Sequence, residues 1–151
     1  MKINKPITIL IISLMTAFLT SCASGAINHD ELNNIKIEIM KTSASSDGIS
    51  YTLKLKNQSS YIIKQNAVYL SYPIKRGKGV FGNDCKVEAA NNKLNIKPNE
   101  EVILNITVSS ENYNNNESLD SENPQLEIKG YFKEVAEMNH FEKKGDIAAF
   151  K

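Results

Sequence analysis

Two cysteines, Cys22 and Cys85, and two histidines, His29 and His140, are the whole supply of thiol and imidazole in this 151-residue chain. Nucleophilic, acid–base and transition-metal chemistry draw first on those groups. No Gly-x-Ser-x-Gly elbow occurs, and Cys85 has no partner base at a recognisable spacing. Gly77, Gly79 and Gly82 lack the strand–turn–helix setting that a phosphate loop requires. Met138 and His140, with Glu142 nearby, offer a thioether and an imidazole, which suit copper. A copper electron-transfer site also needs a second histidine and a cysteine at matched spacing, so a copper carrier is the weakest functional reading and His140 reads as an exposed side chain. His29 falls in a polar stretch where a positioned role is not expected. Glu111, Glu117, Asp120 and Glu122 lie among asparagines and supply oxygen donors of the kind calcium takes. Their spacing fits no regular calcium loop, and they read as solvated turns. The residues therefore predict no catalytic group, no cofactor and no metal site, and a protein that is not an enzyme.

Three weaker features concern binding. Lys75-Arg76-Gly77-Lys78 could touch phosphate or an anionic wall polymer, but such a cluster reads first as a solvated hairpin tip. Tyr61, Tyr69, Tyr72 and Phe81 gather in the middle of the chain. Alternation puts Tyr69 opposite Val68 and Leu70, hence on an outer face, where tyrosine can serve protein contacts; ordinary edge packing is the competing reading. Cys85 reads as a small, mostly buried apolar side chain. Its functional alternatives are an intermolecular bridge or a reactive thiol, with Lys86 the one neighbour in sequence that favours a thiolate.

The first residues carry an address. Lys2 and Lys5 make a positive start, an apolar run follows from Ile7 to Leu19, and small residues close it. That order is the pattern of a secretory signal peptide. The run is about a dozen residues, short of the roughly 20 that cross a bilayer core. Leu19-Thr20-Ser21-Cys22 resembles the lipobox of bacterial lipoproteins: an apolar residue, two small ones, then cysteine. A cysteine thiolate is nucleophilic enough to take a diacylglyceryl group as a thioether, and small residues let an extended backbone enter a narrow peptidase site. The resemblance implies that Leu19, Thr20 and Ser21 are read by the signal peptidase, that cleavage follows Ser21, and that lipid on Cys22 anchors the mature chain to a membrane. Two acyl chains suffice for stable anchoring. Ordinary secretion with cleavage after Ala23 is the alternative. If the cell has an outer membrane, Ala23 rather than Asp after the cysteine resembles lipoproteins sent outward; otherwise the anchor is the cell membrane.

Composition narrows the partners. The chain has 18 Lys and Arg against 17 Asp and Glu, a formal charge of +1. Loss of Lys2 and Lys5 would leave the mature part slightly negative, with no electrostatic footprint for nucleic acid. With Cys22 lipidated, Cys85 has no intramolecular disulfide partner.

The elements that must position any site are strands. Residues 22–34 are polar and aperiodic, a flexible tether. Ile35, Ile37 and Ile39 alternate with polar residues, as do Ile49, Tyr51, Leu53 and Leu55, and again Val102, Leu104, Ile106 and Val108, each set facing one side of a strand. Ser43 to Gly48 and Asn57 to Ser60 read as turns. Val68, Leu70 and Tyr72 share a face; Lys75 to Gly82 reads as a mobile loop; short strands fall at Cys85–Ala89 and Lys93–Ile96. Lys97-Pro98-Asn99-Glu100 is a turn with Pro at its second position. Ser109 to Pro124 is a long loop, Gln125 to Val135 a strand. Lys133 to Lys144 fits either a short helical turn, lined by Val135, Met138 and Phe141, or a hairpin loop. Ile147–Phe150 closes as a strand. Seven or eight short strands predict an all-β sandwich or barrel.

Leu55-Lys56-Asn57-Gln58-Ser59, leading into an apolar strand, resembles immunoglobulin-like modules of bacterial secreted proteins. So does Leu94-Asn95-Ile96-Lys97-Pro98-Asn99-Glu100 running into Val102-Ile103-Leu104. The resemblance implies an immunoglobulin-like antiparallel β-sandwich over residues 35–151 and no particular activity. The expectation is a lipid-anchored extracytoplasmic binding module whose partner is an envelope protein, or alternatively a protease inhibitor acting through a protruding loop.

Overall fold

The computed structural model describes residues 28–113 and 116–150. The expected signal segment and lipobox through Cys22 lie outside the described residues. Ten strands form, rather than the seven or eight expected: β1 (Ile35–Ser45), β2 (Gly48–Asn57), β3 (Ile63–Ser71), β4 (Ile74–Arg76), β5 (Gly79–Phe81), β6 (Val87–Glu88), β7 (Asn95–Ile96), β8 (Glu101–Ser109), β9 (Gln125–Phe132) and β10 (His140–Asp146). One sheet has the order β1-β2-β8. The other runs β10-β9-β3-β6, with β7 also on β3. The pairs within both sheets are antiparallel. This order, first, second and a later strand facing third and the last two, is that of an immunoglobulin-like sandwich.

Alternation sets what fills the space between the sheets. Ile35, Ile37, Leu53, Leu55, Leu104 and Ile106 face inward from one sheet, and Ile63, Leu70, Leu126, Ile128 and Phe132 from the other. Fully burying one such side chain stabilises by roughly 2 kcal/mol. No disulfide assists among the described residues, where Cys85 is free. Tyr51 and Tyr72 meet hydroxyl to hydroxyl at 3.0 Å in this core. Both margins of the sandwich are closed. Ala90 bridges to Asn105 on one side, and a 3-10 turn, Ile147–Phe150, fills the gap between β1 and β10 on the other.

Several local expectations change. β1 and β2 run longer than alternation suggests and meet at a turn of two residues, Ser46 and Asp47. Gly48 is required there: a Cβ would stand 2.1 Å from the Val108 carbonyl oxygen. Lys75 to Gly82, expected as a mobile loop, is the β4–β5 hairpin. Ile147–Phe150 is not a strand. The Asp146 carboxylate accepts from the Ala149 N–H at 3.0 Å and coils the segment, which seats Phe150 with no exposure. Lys133 to Lys144 divides into a 3-10 turn, Glu137–Asn139, and β10. Phe141 is buried, whereas Val135 and Met138 are exposed, so the three do not share a face. At the start, His29–Asn34 within the expected tether forms a 3-10 turn capped by Asn28. Glu31 holds it in place by accepting from the Ser60 N–H at 3.0 Å and hydroxyl at 2.7 Å.

Candidate interaction surface

The strands give the sandwich two ends. At the entry end lie the first 3-10 turn, Asn57 to Ser60 and the Lys97–Glu100 turn, joined by Gln58 N–H to Asn34 carbonyl and Asn57 N–H to Glu100 carbonyl hydrogen bonds. At the far end lie the β1–β2 turn, the β4–β5 hairpin and the 116–124 segment. The ten-residue β2 separates them by roughly 30 Å.

The hairpin belongs to neither main sheet. Gly77, at φ 59°, makes its tip, and a side chain there would touch nothing, so backbone conformation alone selects glycine. The base is fastened to the 116–124 segment. The Lys75 N–H donates to the Ser118 carbonyl at 2.6 Å, the Asp120 N–H donates to the Pro73 carbonyl at 2.8 Å, and Ile74 bridges to Leu119. Lys75 Nζ pairs with the buried Asp120 carboxylate at 3.2 Å. Asn123 donates to both Asp120 oxygens, at 3.1 and 3.0 Å. Asn123 is the main cause holding that carboxyl below its ordinary range, with Lys75 adding to it against burial. Asp120 is thus a fastener; Glu111, Glu117 and Glu122 are exposed. Beyond the fastening, Val80 and Phe81 are 58% and 53% exposed, and the Arg76 guanidinium carbon stands 6.0 Å from the Phe81 ring centroid. Between hairpin and segment lies a cleft of about 400 Å³, lined by Arg76, Asn83, Cys85, Asn112 and Leu119 among others. Cys85, expected to be buried, is exposed here. Its N–H donates to the Asn83 side chain at 2.9 Å, and that turn swings the thiol out of the core before β6 begins.

The outer face of the larger sheet holds what sequence reasoning missed. Glu127 points outward between Leu126 and Ile128, yet is 3% exposed. Lys86 Nζ donates to both its oxygens, at 2.8 and 2.6 Å, and Lys129 pairs at 2.9 Å and reaches Glu142 at 3.4 Å. Burial alone pushes the Glu127 carboxyl up, but Lys86 and Lys129 together outweigh it and hold it low. Tyr69 stands beside Glu127 in the ladder, half-buried on this outer face as alternation placed it. Tyr61 packs edge-on against Phe132, and Tyr72 lies in the core, so the four aromatics form no single patch. His140 is exposed and meets Tyr131 edge-on at 5.4 Å. Among the described residues, no three His, Cys, Asp or Glu groups come together in a way that could hold a metal ion.

A cleft of about 380 Å³ on the smaller sheet is lined by Lys36, Lys54, Lys56, Glu38 and Glu101 beside Phe150. Its charges are spent internally: Lys54 pairs with Glu38 at 2.6 Å and Lys56 with Glu101 at 3.3 Å.

No family model and no curated protein matches the chain. Solved structures similar to it include two of a beta-glucosidase from Kluyveromyces marxianus, one in complex with glucose and one selenomethionine-labelled. Each matches at 15% identity with a TM-score of 0.34, over 75% of this chain and 14% of the enzyme's. The chain therefore spans about a seventh of the length of that enzyme. A likeness of this depth bears on neither activity nor ligand.

Proposed function

We propose that this protein is an extracytoplasmic lipoprotein, held to the membrane by lipid on Cys22, that works as a binding module and meets an envelope protein at its far-end hairpin. The observation that supports this is the β4–β5 hairpin: two exposed apolar side chains, Val80 and Phe81, on a protrusion fastened through Lys75 and Asp120. Exposed apolar groups on a held scaffold lose little entropy on contact, the condition that favours association. Anchoring adds to this by concentrating the module where its partner already is.

Crosslinking in cells, followed by identification of the captured protein, tests the reading. Capture of one envelope protein by the wild type, and its loss on Val80→Ser with Phe81→Ser, is the expected result. Equal capture by both sinks the hairpin's role. Fatty-acid labelling tests the anchor: the wild type takes label and Cys22→Ala does not.

The same hairpin favours a second reading, inhibition of a protease, because Arg76 sits beside a protruding turn. Replacing 74–81 by a short Gly-Ser turn should then abolish inhibition of an arginine-specific serine protease. If the intact protein inhibits none, this reading fails and plain binding stands.

A further inference from the structure

The entry end carries exposed apolar side chains of its own. Leu94 is 70% exposed, Val135 53% and Met138 72%. Leu94 and Val135 line one groove of about 420 Å³, flanked by Lys64 and Lys133. Hydrogen bonds place the groove at that end: the Gln65 N–H donates to the Leu94 carbonyl at 2.7 Å, and the Lys133 N–H donates to the Ile62 carbonyl at 2.9 Å. Met138 lies in the 3-10 turn leading into His140. His140 pairs with Tyr131, Tyr131 with Lys64, and Lys64 with Asn95, one row across the sheet.

A protein or a bilayer could accept apolar groups flanked by lysines. Chain length decides between them. Six residues carry the chain from Cys22 to Asn28, and fully extended they reach at most about 20 Å. That is shorter than the sandwich is tall. With lipid on Cys22, the entry end cannot leave the neighbourhood of the headgroups, whereas the far end can.

We propose that Leu94, Val135 and Met138 rest on the headgroup region of the membrane that holds Cys22, so that the domain stands on its entry end. This inference rests on the lipid-anchor reading. Lys64 lays its aliphatic stem beside the apolar contact and turns its ammonium group to lipid phosphates, while the Lys133 ammonium stands 4.5 Å from the Tyr61 ring centroid at the groove's edge. The contact is too small to recruit the protein alone. It is populated because the anchor keeps the groove at high effective concentration over the surface.

The test uses full-length lipidated protein in vesicles of phosphatidylethanolamine and phosphatidylglycerol containing nitroxide-labelled lipid. One sample carries a dye on the exposed Cys85, at the far end. Another carries it at Glu134→Cys, beside the groove, with Cys85→Ser. Quenching several-fold stronger at 134 than at 85 is expected. Leu94→Glu with Val135→Glu and Met138→Glu should shrink the difference several-fold, to what the tether alone imposes, without altering the circular dichroism spectrum. Equal quenching at the two positions in vesicle-bound wild type, or an unchanged difference in the triple variant, overturns the contact while leaving the anchor intact. Failure of the wild type to stay on vesicles, or equal retention of Cys22→Ala, overturns the anchor reading instead.

Discussion

The side-chain amide of Asn57 donates to the main-chain carbonyl of Ile96 at 3.0 Å, from a residue with no solvent exposure. The same amide donates to the Tyr61 carbonyl at 2.8 Å, and the Asn57 side-chain Oδ1 accepts from the Ser59 N–H and hydroxyl. Its backbone completes the knot, with the Asn99 N–H donating to the Asn57 carbonyl at 2.6 Å. One side chain thus ties the end of β2, the start of β3 and β7. Asn57→Ala takes the side-chain donor from the buried Ile96 carbonyl and the acceptor from the buried Ser59 N–H, leaving the Tyr61 carbonyl to the Ser59 hydroxyl, and is expected to cost about 2–4 kcal/mol. Asn57→Asp should cost no less, since a carboxylate donates nothing. Urea denaturation checks both; a midpoint shift at constant slope is expected, and a loss below about 0.5 kcal/mol would contradict it.

Glu127 makes stability depend on pH. Its carboxyl lies below the ordinary value of 4.5 in the folded state. Below 4.5 the unfolded chain takes up a proton that the folded chain refuses. The stabilisation is therefore complete above 4.5 and is lost as pH falls through the folded-state value. Glu127→Gln should lower stability near neutral pH by about 1–3 kcal/mol, the loss of charge-assisted hydrogen bonds at a buried acceptor. It should also make the acid limb shallower than in the wild type. An acid limb of unchanged slope in equilibrium unfolding would exclude the effect.

Tyr72 behaves oppositely. Burial first, and then its bond with Tyr51, push its hydroxyl far above the ordinary 10.0. The unfolded chain releases that proton near 10 and the folded chain keeps it, so stability falls as pH rises past 10. Phenolate absorbance should show Tyr72 ionising only with alkaline unfolding. Tyr72→Phe should remove that late step; a late step that persists would assign it to another tyrosine.

Alternation made the sandwich legible. The inward sets led by Ile35, Leu53, Val68 and Leu104 all reach the core as read, because each runs long enough to show its period. The elements that escaped are those fixed by partners distant in sequence. β4 and β5 have three residues each, too few to alternate, and their order comes from Ser118 and Asp120. Glu127 was hidden for a related reason: alternation tells which face a residue takes, not that Lys86 will fold over it. Cys85 went wrong because composition favours burying a thiol, while the turn at Asn83 decides otherwise. The Asn57 motif was visible as a resemblance, but its role required seeing both motifs meet.

The hairpin should separate binding from folding. Val80→Ser with Phe81→Ser changes exposed groups, so the unfolding midpoint should stay within about 0.5 kcal/mol of wild type. Partner capture should nevertheless fall sharply. Asp120→Ala should give an intermediate result, because it unfastens Lys75 while leaving the apolar contact. Stability loss in step with capture loss would show that the hairpin's part is structural.

Strand direction at the two ends also sets how the domain would respond to pulling. Tension between the anchor and a partner on the hairpin would enter β1 at Ile35 and leave β3 at Ser71, at opposite ends of the sandwich. β1 would then be drawn lengthwise past β2, from Ile35 opposite Asn57 to Ser45 opposite Gly48. Rungs sheared in that direction share the force and yield together, whereas a strand peeled from its end gives way one rung at a time. Entry and hairpin at the same end would have allowed peeling. The observed arrangement would make the domain resist extension along a line from lipid on Cys22 to a partner on the hairpin.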